Sequence, residues 1–424
     1  MTTSDLVSLN LDRRRRFREY MKAFNPTAPP RDVIAAGLVL ENLQKNLHRS
    51  LAARADLEPG SQQLIVGGIG SGKTTELLLA EQSLTNQANV LPLFIDVSAE
   101  TDLSGFNSGA LLASFGLHLA REIVTNLELK FSAAEKKIFQ TSYSKLKEFG
   151  FGKMQRIFIP DDEEPPDEEP PDFDDDETPG HYQDIQTPGK LKPPMPALQN
   201  DVQAAKQELK NLIEMVWHFG LEVVVFFDGL DRLVQPEKFW SVVEQDFRVL
   251  RSLRIGVLST APISVLYGVG KQVSDHFDRV HHIAPLVSSP KDDHLQSVIE
   301  RRQGAQLLEP ESTALICKAS GGVLRDLITM ARDAGEEAYI AGSDRIGKLH
   351  AEATVKQLGT SYLRGLGTYE LHALRQLHKT KSFDLRSPIN VQLLVTRRVL
   401  EDTSRAFRVH PALLPLVLAE APRV

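Results

Sequence analysis

An α/β architecture, with a five-stranded parallel sheet buried between helices, is what the sequence predicts, and three observations carry it. Short apolar runs recur without polar alternation, amphipathic segments separate them, and a glycine-rich turn joins the first run to the segment after it. A strand covered on both faces has no solvent side to mark with polar residues, so continuous apolar runs point to a parallel sheet.

The runs are Leu64-Ile65-Val66, Val90 to Val97, Val223 to Phe227, Ile255 to Ser259 and Val280 to Ile283. Between them, Ser132-Ala133-Ala134-Glu135 has the form of a capping box. Leu209, Leu212, Ile213 and Val216 make an apolar stripe ahead of the third run. The first sixty residues read as helical and end at Leu38 to Ala53, where Leu40, Leu43, Leu47 and Leu51 recur at helical spacing. Arg13-Arg14-Arg15-Arg16, with Arg18 and Lys22, decorate one helix, as a solvated face or as a phosphate contact. Pro160 to Pro196 holds ten prolines, and Asp161 to Glu177 holds twelve acidic residues and no basic one. That composition predicts a disordered insertion.

After Pro290 helices take over, to about Gly347. Then come a helix over Tyr369 to Leu377, a helix start at Ser387-Pro388, and two short strands between Val399 and Val409. Helix, helix and hairpin in this order suggest a winged helix. The expected division is an N-terminal helical segment (1–55), a core (56–286, with the insertion at 151–200), a helical lid (287–345) and a winged-helix-like domain (346–424).

Composition narrows the field. Of 424 residues, 42% are hydrophobic, enough for a sizeable core. No eighteen-residue apolar run exists and no apolar segment follows the arginine cluster, so a soluble, cytoplasmic protein without membrane contact is expected. Cys317, the single cysteine, excludes an intrachain disulfide and a cysteine zinc site. The net charge is −7; without the twelve acids it is −7 + 12 = +5, mildly basic.

The decisive segment is Gly67-Gly68-Ile69-Gly70-Ser71-Gly72-Lys73-Thr74, which matches G-x-x-x-x-G-K-[ST] at every fixed position between a predicted strand and a predicted helix. Such glycines let backbone N–H groups and a helix N-terminus wrap phosphate oxygens. Residues 67–75, Thr75 included, are therefore the candidate nucleotide cradle. Lys73 is expected to reach the β- and γ-phosphates of ATP, and Thr74 to hold Mg²⁺. Asp228, ending the most apolar run, is the natural second partner of that Mg²⁺, because an acid there is costly unless paired or near a metal. Asp231 is the candidate to orient the attacking water. Ser259 and Thr260 end the fourth run, where a hydroxyl can reach the γ-phosphate or water if that strand lies between the other two. Arg325, in Ser320-Gly321-Gly322-Val323-Leu324-Arg325-Asp326, sits just inside a helix start as a lid arginine or a salt-bridge partner.

Together these residues resemble the AAA+ and STAND branches of the P-loop ATPases over about Gln62 to Gly342, the insertion excepted. Asp228-Gly229-Leu230-Asp231 is similar to a STAND Walker B. The segment from Ser320 to Asp326 resembles the sensor 2 helix of origin-recognition-type proteins, and Val409 to Leu413 the last step of their winged-helix tails. The resemblance implies a P-loop NTPase with a central parallel five-stranded sheet, a helical lid and a winged-helix-like C-terminus. It assigns sensor 1 to Thr260 or Ser259 and the lid arginine to Arg325. Many AAA+ motors carry Glu directly after the Walker B Asp; here Gly229 stands, so Asp231 substitutes or hydrolysis is slow. Arg251, Arg254 and Arg279 are candidates for an arginine finger.

Two functions are compatible with this. One is a slow Mg²⁺-dependent ATPase that switches conformation with ATP and ADP, in signalling or anti-phage defence, acting on a protein partner or through self-assembly into a homo-oligomer. The other is a DNA-associated ATPase of initiator or loader type. For the latter, the tail from Ile346 carries twelve Lys/Arg against six Asp/Glu. A P-loop kinase is disfavoured, since no lid with clustered arginines is found.

Overall fold

In the computed structural model the described residues are 3–40, 46–100, 103, 106–126, 131–151, 199–233, 236–267, 273–286, 294–303, 306–402 and 404–419. The predicted acidic insertion lies outside them.

Three helices open the chain, α1 (Thr3–Ala23), α2 (Pro30–Ala35) and α3 (Leu47–Leu57), and lead to β1 (Gln62–Gly67). The predicted helix over Leu38 to Ala53 is thus shorter: Gly37 takes φ 67°, and Leu38 to Leu40 are non-helical. Next come α4 (Lys73–Thr85), β2 (Val90–Asp96), α5 (Val97–Glu100), α6 (Ala110–Asn126), α7 (Ala133–Phe151), α8 (Gln199–Trp217) and β3 (Glu222–Asp228). Helices α9 (Pro236–Val242) and α10 (Arg248–Ser252) precede β4 (Gly256–Ala261) and β5 (Arg279–Ile283). The rest is α11 (His294–Arg302), α12 (Pro310–Ala319), α13 (Leu324–Ile340), α14 (Lys348–Leu363), α15 (Thr368–Thr380), α16 (Pro388–Val395), the strands β6 (Val399–Glu401) and β7 (Phe407–Val409), and α17 (Leu414–Ala419).

All five apolar runs are strands of one sheet, in the order β2-β3-β4-β1-β5. The ladders β1–β5, β2–β3 and β3–β4 are parallel. Every residue of β1 and β4 is buried, and in β3 all but Glu222, as continuous apolar runs require. β6 and β7 form a separate antiparallel pair.

The chain divides into two compact units, one of Met1–Leu51, Gln63–Ala80 and Thr260–Val424, the other of Ala52–Gln62 and Glu81–Ser259. In the second, α6, α7 and α8 pack together at Gly116, where a Cβ would lie 2.9 Å from Leu209 and 3.0 Å from Leu146. The predicted capping box is present: Ser132 donates its N–H and its hydroxyl to Glu135 at 2.7 and 2.6 Å. The N-terminus of α6 is capped by Asp246, whose oxygens accept the N–H groups of Gly109 (2.6 Å) and Leu111 (3.0 Å).

In the first unit, Phe17, Tyr20 and Phe24 of α1 are buried in one apolar cluster with α11, α12 and α13. Gly335 of α13 is the point of closest approach, where a Cβ would stand 2.7 Å from the Tyr20 ring. The arginine cluster is divided between two tasks. Arg13 donates to the carbonyls of Ala338, Tyr339 and Ser343 and so reinforces the C-terminal end of α13, where Ala338 and Tyr339 also accept the N–H groups of Ser343 and Gly342. Its guanidinium also lies over the rings of Phe17 and Tyr339, at 5.1 and 4.5 Å. Arg16 pairs with Asp344, whereas Arg14, Arg18 and Lys22 are exposed.

Candidate functional site

The turn between β1 and α4 is shaped by its glycines. Gly70 and Gly72 take φ 80° and 101°, which side chains rarely adopt. At Gly70 a Cβ would stand 2.5 Å from the Cβ of Arg325, and at Gly67 2.7 Å from the carbonyl oxygen of Ile283, the residue paired with Gly67 across the sheet. Lys73 is buried and donates through Nζ to the carbonyls of Gly67 and Gly68, both at 2.9 Å, so the ammonium is held over the loop. Ser71 Oγ is buried and has no hydrogen-bond partner among the described residues. Thr74 and Thr75 follow in the first turn of α4, whose leading amides the helix itself cannot satisfy. A loop with left-handed glycines, a cation across it, an unsatisfied hydroxyl and a helix N-terminus fits a polyphosphate.

The fold is of the P-loop type. No family model and no curated protein matches the chain. Among solved structures it is similar to Cdc6p from Pyrobaculum aerophilum, at 13% identity over 94% of this chain and 97% of that one, with a TM-score of 0.43. It is also similar to the Aeropyrum pernix Orc1 protein in complex with DNA (13%, 89% and 92%, TM-score 0.42). A third is the Thermotoga maritima RuvB Holliday junction branch migration motor (14%, 91% and 96%, TM-score 0.39). The fold assignment rests on the strand order and the P-loop itself.

One turn into α4, Glu76 is buried and accepts the His48 N–H at 2.9 Å, tying the P-loop helix to the start of α3. Burial pushes its carboxyl up to about 7, against the pull of that N–H.

Arg325 stands in the first turn of α13, and its N–H donates to the Gly70 carbonyl at 3.3 Å. The glycines predicted beside it are needed for this turn. Gly321 and Gly322 have φ 61° and 86°, and a Cβ on Gly322 would sit 1.8 Å from the Leu286 oxygen, to whose N–H Gly322 offers its carbonyl.

Asp228 ends β3, buried, in register with Asp96 at the end of β2. Asp96, which no sequence motif marks, accepts the Ser98 hydroxyl (2.7 Å) and the Ala99 N–H (3.1 Å) through Oδ1. Gly229, where motors carry glutamate, has φ 84°, and a Cβ there would meet Ser98 Cβ and Oγ at 2.7 Å. The backbone at this position excludes a side chain. Asp231 follows in a half-buried 3₁₀ turn, Leu230–Arg232. Ser259 and Thr260 are fully buried in β4, which lies between β3 and β1, as Thr260's candidacy required. Of the arginine-finger candidates, Arg251 donates to Gln62 at 3.3 Å, and Arg254 and Arg279 are exposed.

A cluster the motifs did not announce surrounds Asp326. The acid is buried at the start of α13, accepts the Tyr362 hydroxyl at 2.6 Å, pairs with Arg397 at 2.7 Å and lies 3.2 Å from His410 Nε2. His410 Nδ1 accepts the Ala412 N–H, which leaves Nε2 as the nitrogen that carries the proton toward Asp326. Arg397 takes φ 62° just past α16, the left-handed position where glycine is usual. Beside it a small, solvent-open cleft is lined by Gly68, Ile69 and Ser71 of the P-loop and by Arg397, Leu400 and Glu401.

Proposed function

We propose that this protein binds ATP at the P-loop and uses slow, Mg²⁺-dependent hydrolysis to ADP as a conformational switch of AAA+ or STAND type. The observation that carries the switch reading is Gly229: its left-handed backbone and the crowding Ser98 leave no room for the glutamate that serves as base in motors. Loop amides and Lys73 hold the phosphates, Asp231 orients the water, and Thr260 and Arg325 respond to the terminal phosphate. Bound Mg²⁺, held by Thr74 with Asp228, would neutralise charge on the phosphates. The switch reading allows a protein partner and self-assembly, with signalling or anti-phage defence as its setting.

A second reading, a DNA-associated ATPase of initiator or loader type, is favoured by the C-terminal segment. There α15, α16 and the β6–β7 pair follow one another as in a winged helix, within a tail of twelve Lys/Arg and six Asp/Glu. Salt-dependent retention of the full chain on duplex DNA supports that reading, and no retention at low salt rejects it.

The nucleotide assignment is tested by Lys73→Ala. Calorimetric titration with ATP should show binding to the native chain and loss of at least about tenfold in affinity in the variant, as removal of a charge-assisted contact implies. Unchanged affinity removes Lys73 from the site.

A further inference from the structure

We propose that Arg397 is a second reporter of the terminal phosphate, exchanging its partner Asp326 for that phosphate when a nucleoside triphosphate occupies the P-loop. The proposal rests on the nucleotide reading above and goes beyond it by assigning the report to the C-terminal segment. Arg397 reaches the loop from the turn just past α16, with its Cγ 4.0 Å from where a Cβ on Gly68 would stand, and it lines the cleft with Gly68, Ile69 and Ser71. It differs from Arg325, which the sequence pattern announced and whose backbone leans on Gly70.

The surroundings allow Arg397 to leave. Its side chain is 20% exposed, against 4% for its partner acid and 0% for His410. When its guanidinium departs, Asp326 keeps the Tyr362 hydroxyl at 2.6 Å and still lies 3.2 Å from His410 Nε2, so the carboxylate retains polar neighbours, and the new contact with the phosphate must offset the loss of its cation. The guanidinium's planar fork matches phosphate oxygens as well as carboxylate, so the exchange replaces one anion by another. Because Asp326 follows Arg325 in the first turn of α13, the exchange also changes the charge balance at the helix start that touches the P-loop.

The test is calorimetric affinity of the full chain for a non-hydrolysable ATP analogue and for ADP, with Mg²⁺. Arg397→Ala should weaken the analogue roughly tenfold and ADP less than about twofold, with Arg397→Lys between. An equal loss for both ligands, or none, assigns Arg397 a structural role and overturns the proposal. Should Arg397→Ala fail to fold, Asp326→Asn serves instead. It keeps the shape, loosens the arginine, and should shift preference toward the analogue; an unchanged ratio overturns the proposal. If the native chain binds neither nucleotide, the P-loop reading itself has failed, which is a separate result.

Discussion

Asp326 and Asp246 are both buried carboxylates at helix N-termini, one in each compact unit, and their acidities are driven in opposite directions. Burial pushes each carboxyl up. At Asp326, His410, Arg397 and Tyr362 together outweigh burial and hold the group below the usual carboxylate range. At Asp246 the opposing groups are the backbone amides of Gly109, Leu111 and Leu112, and burial wins, pushing the carboxyl up to about 7. A cation with a full charge compensates for lost water where partial charges on amides do not.

The largest effect expected from this contrast is that of Asp326→Ala. It strips Arg397, Tyr362 and His410 of a shared acceptor and should lower stability by about 3–5 kcal/mol, measured by urea unfolding at neutral pH. A loss below about 1 kcal/mol would show that the cluster is solvated and that the comparison is wrong.

The pH responses should differ in sign. For Asp246, the folded chain retains a proton that the unfolded chain releases above about 4, so stability falls as pH rises through the window from about 4 to about 7. The ceiling of that fall is about 4 kcal/mol, at about 1.4 kcal/mol for each pH step. Asp246→Asn, which keeps an acceptor for the cap, should flatten much of the slope but not all, because Glu76 contributes with the same sign. An unaltered slope in the variant would mean that Asp246 is ionised in the folded chain. For Asp326 the depressed acidity acts the other way: its contribution is present above the usual carboxyl range and is lost on acidification through the folded value.

The smallest effect sharpens the role of burial. Asp384 also pairs with an arginine, Arg386, at 3.0 Å, but the two side chains are 54% and 86% exposed. Asp384→Asn should leave the melting midpoint unchanged within error, since an exposed pair exchanges little for its lost hydration. A clear drop would show that solvent does not decide the matter.

Much of the core was legible because its sequence signals are also its causes. The five apolar runs are the five strands, as a sheet covered on both faces requires. The glycines at 70 and 72 are the residues whose φ values only glycine adopts with ease. The Asp326 cluster left no such trace. Arg397 is 71 positions from its acid and Tyr362 is 36, and neither spacing has a period to detect. The roles of Arg13 and Arg16 were hidden for the same reason, as a run of four arginines looks like solvated charge until the end of α13 is brought beside it. Gly229 was visible as a departure from the motor pattern, but its cause, the approach of Ser98, was not.

Helix α13 has 17 residues, about 25 Å from end to end. Its first turn leans on Gly70, and its last is clasped by Arg13 of the opening helix. It therefore joins the P-loop at one end to the N-terminal segment at the other. Shortening the chain past Phe24 would strip Phe17, Tyr20 and Phe24 from the apolar cluster against which α13 packs, and would unseat that helix without altering any residue of the P-loop.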